Sequence, residues 1–281
     1  MDLSSYPADA PGQSLDFLFI HHSIGGQLLA DPGAEEGQSS IHATHPNGGG
    51  LRRLLEDAGY RVHEASYDSG VGQDTDLRHW VPKFQEQLDS ILRVRMQDDV
   101  LEDNGQNHIV AFKSCYPNSD FVAQGSPPGD ATLPELTVEN AQAAMRELLP
   151  VFQRHPDTLF VYFTAPPTAP RLPADRAWKW VLKRVLGRGV TAARLRESGR
   201  LARSFNDWMK SPDGWLAGYG GDNVVVFDYF DLLTGEGRSD LLFYPTGDGF
   251  DSHPSADGQA RAAEAFVPFL NRAVRRAGLV E

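Results

Sequence analysis

Four short stretches of this 281-residue chain carry side chains whose types and order suit acyl transfer. The first is His21-His22-Ser23-Ile24-Gly25-Gly26, where a serine hydroxyl is followed by glycines whose backbone can approach an anion closely. The second is Asp68-Ser69-Gly70-Val71-Gly72-Gln73-Asp74. The third is Lys113-Ser114-Cys115-Tyr116-Pro117-Asn118-Ser119-Asp120, in which the Asn118 amide is a candidate donor to a developing negative charge. The fourth is Asp248-Gly249-Phe250-Asp251-Ser252-His253-Pro254, an acid two residues ahead of a histidine. A nucleophilic hydroxyl needs a base to take its proton. The base needs an acid to fix its tautomer and stabilise the imidazolium. The tetrahedral oxyanion needs preorganised donors. Singly, the stretches also fit a Gly-rich turn, an Asx-turn and a helix-capping serine. In order, they supply every part of a hydroxyl-nucleophile mechanism.

The elements that would position these stretches follow from periodicity. Short apolar runs at 15–20, 61–67, 108–112, 158–164 and 223–227 read as strands. Between them, helical spacing predicts helices over 51–58 (with Gly59 as a stop), 77–96, 138–154 (with Thr137 as N-cap), 174–186, 194–210 and 255–276. Five strands alternating with helices predict a parallel sheet covered on both faces, and one domain over 1–281 with a basic helical insertion around 170–210. In such sheets ligands bind beyond the carboxyl ends of the strands. The first three stretches each follow a predicted strand, and the fourth precedes the last helix.

Composition narrows the partners. The net charge is −12 at pH 7, which argues against nucleic acid. No apolar run reaches roughly 18 residues, so no membrane-spanning helix is expected. Cys115 is the only cysteine, which excludes an intrachain disulfide framework and a Cys-rich zinc site. Next to Lys113 it fits a small buried hydrophobe better than a reactive thiol. Residues 1–14 are polar, without a basic or apolar signal region, which reads as a cytoplasmic chain unless a leader has been removed. The segment 171–203 holds ten Arg or Lys against two acids, so it carries +8 while the remainder carries −20. With Trp178 and Trp180 it reads either as a solvated helix packing on the body or as a rim for anionic substrates.

The blocks Phe19-Ile20-His21-His22-Ser23-Ile24-Gly25, Gly70-Val71-Gly72, Tyr116-Pro117-Asn118 and Asp251-Ser252-His253-Pro254 together resemble the SGNH (GDSL-type) hydrolase superfamily, over about residues 15–275. The resemblance implies an α/β fold: a three-layer αβα sandwich around a five-stranded, mostly parallel sheet with flavodoxin-like order. It implies an esterase acting on an ester or acetyl group of a small-molecule or carbohydrate substrate. Ser23 would be the nucleophile, His253 the base, Asp251 the orienting acid, and Gly70, Asn118 and the Ser23 amide the oxyanion donors, with no cofactor and no metal. The chain departs from the family at three points. His21-His22 stands where Gly-Asp is usual, the third block lacks Gly-x-Asn-Asp, and the acid precedes the histidine by two residues where three is commoner. Phe250 occupies that usual position, and Asp248 is the alternative acid. Gly72 is the alternative to Gly70.

Two other readings remain open at the level of sequence. His21, His22, His42, His45 and His253 supply imidazole for a metal-dependent hydrolase, although no His-Glu-x-x-His motif occurs. The departures in the first and third blocks also suit a binding module that has lost catalysis. Hydrolase and acyltransferase, and the oligomeric state, are not distinguished by sequence.

Overall fold

A computed structural model describes residues 2–171 and 192–281. The chain runs β1 (Leu15–Ile20), α1 (Ser23–Leu29), β2 (Asp31–Pro32), β3 (Glu36–Gln38), β4 (Ile41–His45), α2 (Leu51–Asp57), β5 (Tyr60–Ala65), α3 (Trp80–Ile91), β6 (Val94–Met96), β7 (Asp99–Val100), β8 (Ile109–Lys113), α4 (Val138–Gln153), β9 (Leu159–Phe163), α5 (Ala192–Lys210), β10 (Val224–Phe227), α6 (Tyr229–Leu233), β11 (Pro245–Thr246), β12 (Asp251–Pro254) and α7 (Ala256–Arg276).

Strand β1 is buried along its whole length, as a central parallel strand must be. Its side chains alternate across the sheet. Leu18 and Ile20 join the apolar layer under α3, α4 and α5, whereas Phe17 and Phe19 join the layer under α1, α2 and α7. Phe266 of α7 packs against Phe17, Phe163 and Phe227 and fastens that layer to three strands at once. The result is a three-layer α/β architecture with a mostly parallel sheet between helices.

The sheet has seven strands among the described residues, in the order β10-β9-β8-β1-β5-β6-β7, and not the five expected from sequence. The five long strands keep the flavodoxin-like order, which places a switch point between β1 and β8. The additional pair arises where sequence predicts one helix to residue 96. Helix α3 ends at Ile91. Val94-Arg95-Met96 then alternates buried and exposed and joins the edge beside β5. Gln97, at φ 57°, turns the chain back into β7. Its side-chain amide accepts from Ser66 N–H at 2.8 Å and donates to the Tyr67 carbonyl at 2.7 Å. The added hairpin therefore fastens the loop that follows β5.

Helix α1 and the small sheet β2-β4-β3 are further additions to the sequence reading. The helix predicted over 174–186 lies outside the described residues, while the one predicted over 194–210 is α5. Among the described residues no helix is long and apolar enough to cross a membrane.

Candidate active site

Ser23 opens α1 immediately beyond β1, with His22 as N-cap in extended conformation (φ −122°, ψ −165°). The His22 carbonyl accepts from Gly25 N–H at 2.8 Å and from Gly26 N–H at 3.2 Å, which forces the chain into a helix one residue after the strand ends. The two glycines are required by proximity. A Cβ on Gly25 would stand 2.4 Å from the His21 Cβ, and one on Gly26 would stand 1.9 Å from the Ser40 carbonyl oxygen. Tight packing at the mouth of β1 thus leaves the Ser23 side chain partly exposed at the switch point.

The acid and base arrive from the other end of the chain. Strand β12 pairs antiparallel with β11 through a turn in which Gly247 (φ 54°) and Gly249 (φ 84°) take left-handed conformations. The Thr246 hydroxyl donates to the His253 carbonyl at 3.1 Å. Residues two apart in a strand share a face, so Asp251 and His253 project together.

These residues meet in one hydrogen-bonded run. His253 Nδ1 lies 2.7 Å from Asp251 Oδ1, and Asp251 Oδ1 also accepts from the His253 backbone N–H at 3.0 Å. His253 Nε2 lies 3.0 Å from Ser23 Oγ. A carboxylate only accepts, so the proton of a neutral His253 sits on Nδ1 and Nε2 faces the serine hydroxyl as acceptor. Burial raises the Asp251 pKa, but the hydrogen bonds from the His253 side chain and backbone outweigh it and hold the carboxyl below the usual range. The Asp248 backbone carbonyl accepts from Arg171 at 3.1 Å, and the carboxylate that lies within hydrogen-bond distance of the histidine is that of Asp251. The Tyr116 ring packs edge-on against His253 with centroids 5.8 Å apart.

The two histidines before Ser23 have separate structural partners. His21 is fully buried, with Nε2 2.9 Å from Glu64 Oε2, and Glu64 is in turn paired with Arg52. His22 Nε2 donates to the Gly72 carbonyl at 2.9 Å, and its Nδ1 lies 3.2 Å from Thr75 Oγ1. Burial, with smaller effects from Lys113 and His21, lowers the His22 pKa to about 4. The ring is therefore a neutral platform, and the Tyr67 ring stacks on it at 3.8 Å. Tyr67 lies two residues beyond the end of β5. Tyr67 stays 38% exposed beside the serine's strand end. Sequence reading treats Tyr67 only as the end of a strand. It lies beyond a parallel strand's carboxyl end, the side on which such sheets receive ligands.

The sequence-designated donors lie around this centre with their polar groups engaged. Gly70 is exposed, and its N–H donates to Asp98 Oδ1 at 2.8 Å. Gly72 is buried, and its N–H donates to Ser69 Oγ at 2.7 Å. Asn118 Oδ1 accepts from Leu77 N–H at 2.9 Å, while its Nδ2 donates to Asp76 Oδ1 at 2.8 Å and lies 3.4 Å from the Cys115 carbonyl. Cys115 is buried, with Sγ 3.7 Å from Ser23 Oγ across the switch point.

His42 and His45 sit on β4 with ring centroids 5.2 Å apart, yet among the described residues no three His, Cys, Asp or Glu side chains converge as a metal-ligand set. The start of the basic segment is beside the fourth stretch, where Arg171 N–H donates to the Gly249 carbonyl at 3.1 Å. Toward its end, Arg203 pairs with Asp231 and Asp240. Lys179, Lys183, Trp178 and Trp180 lie outside the described residues.

No family model matches the chain, and no curated protein matches its sequence. Among solved structures, two crystal structures of catalytic mutants of Axe2, an acetylxylan esterase from Geobacillus stearothermophilus, are similar to it. Their identities are 14% and 15%; each match covers 97% of this chain and 98% of the other, with a TM-score of 0.42.

Proposed function

We propose that this chain is a serine esterase of the SGNH type, cleaving an ester or acetyl group on a small-molecule or carbohydrate substrate. The observation that carries the reading is the run from Asp251 through His253 to Ser23, with contacts of 2.7 and 3.0 Å. Both are within the reach a general base requires.

In this mechanism Ser23 Oγ attacks the ester carbonyl carbon while its proton passes to His253 Nε2. The carbonyl π pair moves onto oxygen, and the Ser23 backbone N–H is one donor to it. Asp251 keeps the Nδ1–H of His253 oriented and stabilises the imidazolium. Collapse of the adduct expels the alcohol, which takes the proton from His253 and leaves an acyl-Ser23. Water activated by the same histidine releases the acid. An acceptor alcohol in place of water would make the same centre an acyltransferase. The reaction calls for no cofactor. The partly exposed Tyr116 beside His253 and the exposed Phe250 at the hairpin offer apolar faces to a sugar or an acyl chain.

A fluorophosphonate probe tests the reading directly. Covalent labelling of the wild type with none in Ser23→Ala is expected, together with loss of p-nitrophenyl acetate hydrolysis. Absence of labelling in the wild type would instead favour a binding module that has lost catalysis.

A further inference from the structure

Two residues before Ser23 lies a buried ionic row that the esterase mechanism leaves unused. His21 is fully buried at the end of β1, and its backbone N–H extends the ladder to the Ala65 carbonyl at 3.0 Å. Both of its ring nitrogens face acceptors. Nε2 lies 2.9 Å from Glu64 Oε2, and Nδ1 lies 3.1 Å from the His22 carbonyl oxygen. A carbonyl only accepts, so Nδ1 carries a hydrogen. Glu64 is also buried, and its Oε1 is paired with Arg52, whose guanidinium stays charged. That pairing keeps Glu64 a carboxylate, so the hydrogen between Glu64 and His21 sits on Nε2. With hydrogen on both nitrogens the ring is an imidazolium, the inner cation of the row Arg52–Glu64–His21. A buried charge needs an opposite partner and hydrogen bonds, and the row supplies both.

The row meets the site at the His22 carbonyl. That oxygen accepts from Gly25 N–H at 2.8 Å, from Gly26 N–H at 3.2 Å and from the His21 ring. Gly25 lies against the imidazole, where a Cβ would stand 2.7 Å from Cγ and 3.2 Å from Nδ1, so a side chain there would displace the ring. The His22 carbonyl and the Ser23 N–H belong to one planar trans peptide and point in opposite directions. Holding the carbonyl against a buried ring therefore turns the Ser23 N–H away from the core. The other donors assigned from sequence have partners already: the Gly70 N–H is given to Asp98, the Gly72 N–H to Ser69 and the Asn118 amide to Asp76. The aim of the Ser23 N–H then decides how the oxyanion is met.

We propose that His21, as a buried imidazolium, is a positioning residue for the nucleophile: its Nδ1–H holds the His22 carbonyl and so fixes the Ser23 N–H as an oxyanion donor. This rests on the serine-esterase reading above. The charge matters as well as the geometry. A hydrogen bond from an ion is roughly twice as strong as one between neutral groups. Drawing charge onto the His22 oxygen also strengthens the N–H of the same amide as a donor. No bond is made or broken at His21 during turnover. Its two hydrogens stay in place while the Ser23 proton passes to His253.

The experiment reads the ring first and the rate second. Nitrogen-15 NMR of the wild type with labelled histidine at pH 7, assigned through the backbone, is expected to show hydrogen on both His21 nitrogens. A bare His21 nitrogen would overturn the proposal whether or not any variant folds. Two variants then separate the contacts. In His21→Gln the amide stands near the place of Nε2 and keeps only the Glu64 contact. In His21→Asn it stands near the place of Nδ1 and keeps only the His22 contact. With folding checked by circular dichroism and p-nitrophenyl acetate as substrate, His21→Gln is expected to lower kcat at least about ten-fold, a part of the 10²-fold or more lost with a whole oxyanion donor. KM should stay within about two-fold, and His21→Asn should recover kcat to within about three-fold of wild type. Equal losses in the two variants, or a change in KM alone, would overturn the positioning role and make His21 a packing residue. So would an unchanged kcat in His21→Gln while fluorophosphonate still labels the wild type, and the serine mechanism would then stand. A wild type that does not label would remove the serine reading itself, and the positioning role with it.

Discussion

Asp251 and His253 share one face of β12, and a single carboxylate oxygen of Asp251 accepts from both the backbone and the ring of His253. This doubled contact explains why a spacing of two works. In an extended strand, positions i and i+2 point the same way, whereas Phe250, three residues before His253, is an exposed ring in the turn. The expected outcome of Asp251→Ala is a fall in kcat of at least about 10²-fold. Loss of a buried triad acid costs about 10⁴-fold, and the carboxylate of Asp251 is more exposed than that. Asp248→Ala should leave kcat within a few-fold. Steady-state kinetics on the two variants decide it, and the reverse ranking would move the acid to Asp248.

Ser23 and His253 are 230 positions apart in sequence and 3.0 Å apart in space. If they pass one proton between them, their losses cannot add. Ser23→Ala, His253→Ala and the double variant should show the same residual rate within error, as residues acting as a unit do. Each single variant should fold with stability within about 1 kcal/mol of wild type, since both side chains are partly solvent-facing. A double variant slower than either single by the product of their losses would show that the two act independently.

Much of this was legible in the sequence. The five long strands announced themselves as short apolar runs, because strands buried on both faces need no alternation. Residues placed after them gained weight from the carboxyl-end rule, which is why Ser23, Cys115 and Asn118 could be set near one another. What sequence missed depends on non-local contacts. Val94-Arg95-Met96 is too short to distinguish from the end of a helix, and becomes a strand only because the β5 edge is there to receive it. The fates of the Gly70 and Asn118 donors depend on Asp98 and Asp76, which periodicity does not connect to them. The aromatic Tyr67 reads as ordinary strand material until its neighbour His22 is seen beneath it.

The second-block glycines can be separated by sterics. A Cβ on Gly72 would come within 1.9 Å of the Ser66 carbonyl oxygen and 2.4 Å of the Ser66 nitrogen, backbone atoms that cannot step aside cheaply. A Cβ on Gly70 would meet only Asp98 Oδ1, at an ordinary 3.7 Å. Gly72→Ala should therefore lose about 1–3 kcal/mol, the usual cost of forcing atoms into a packed site. Activity should fall with it, because the Gly72 carbonyl holds His22. Gly70→Ala keeps its N–H and should stay within about 0.5 kcal/mol of wild type, as surface changes generally do. Urea melts read both; equal losses would mean that the two glycines play the same part.

His22 provides a test in pH. Its pKa falls from 6.5 to about 4 on folding, chiefly through burial. Between those values the unfolded chain binds a proton that the folded chain refuses, so folding stability rises with pH across the window and is lost as pH drops from about 6.5 towards 4. His45, also lowered by burial, adds a slope of the same sign, so His22 accounts for only part of it. Asp251 acts lower down. Its carboxyl is held below the usual range, so its contribution is present above an unfolded pKa of about 3.9 and disappears as pH falls further, outside the histidine window. His22→Gln keeps a polar side chain at the site and removes the titration. The expected result, from urea melts at half-unit steps between pH 4 and 7, is a clearly shallower loss of stability on acidification than in wild type, with the two curves converging on a constant offset above pH 7. Parallel curves throughout would mean that His22 takes up its proton in the folded protein as readily as in the unfolded chain, and that the ring beneath Tyr67 is not the neutral platform its surroundings make it.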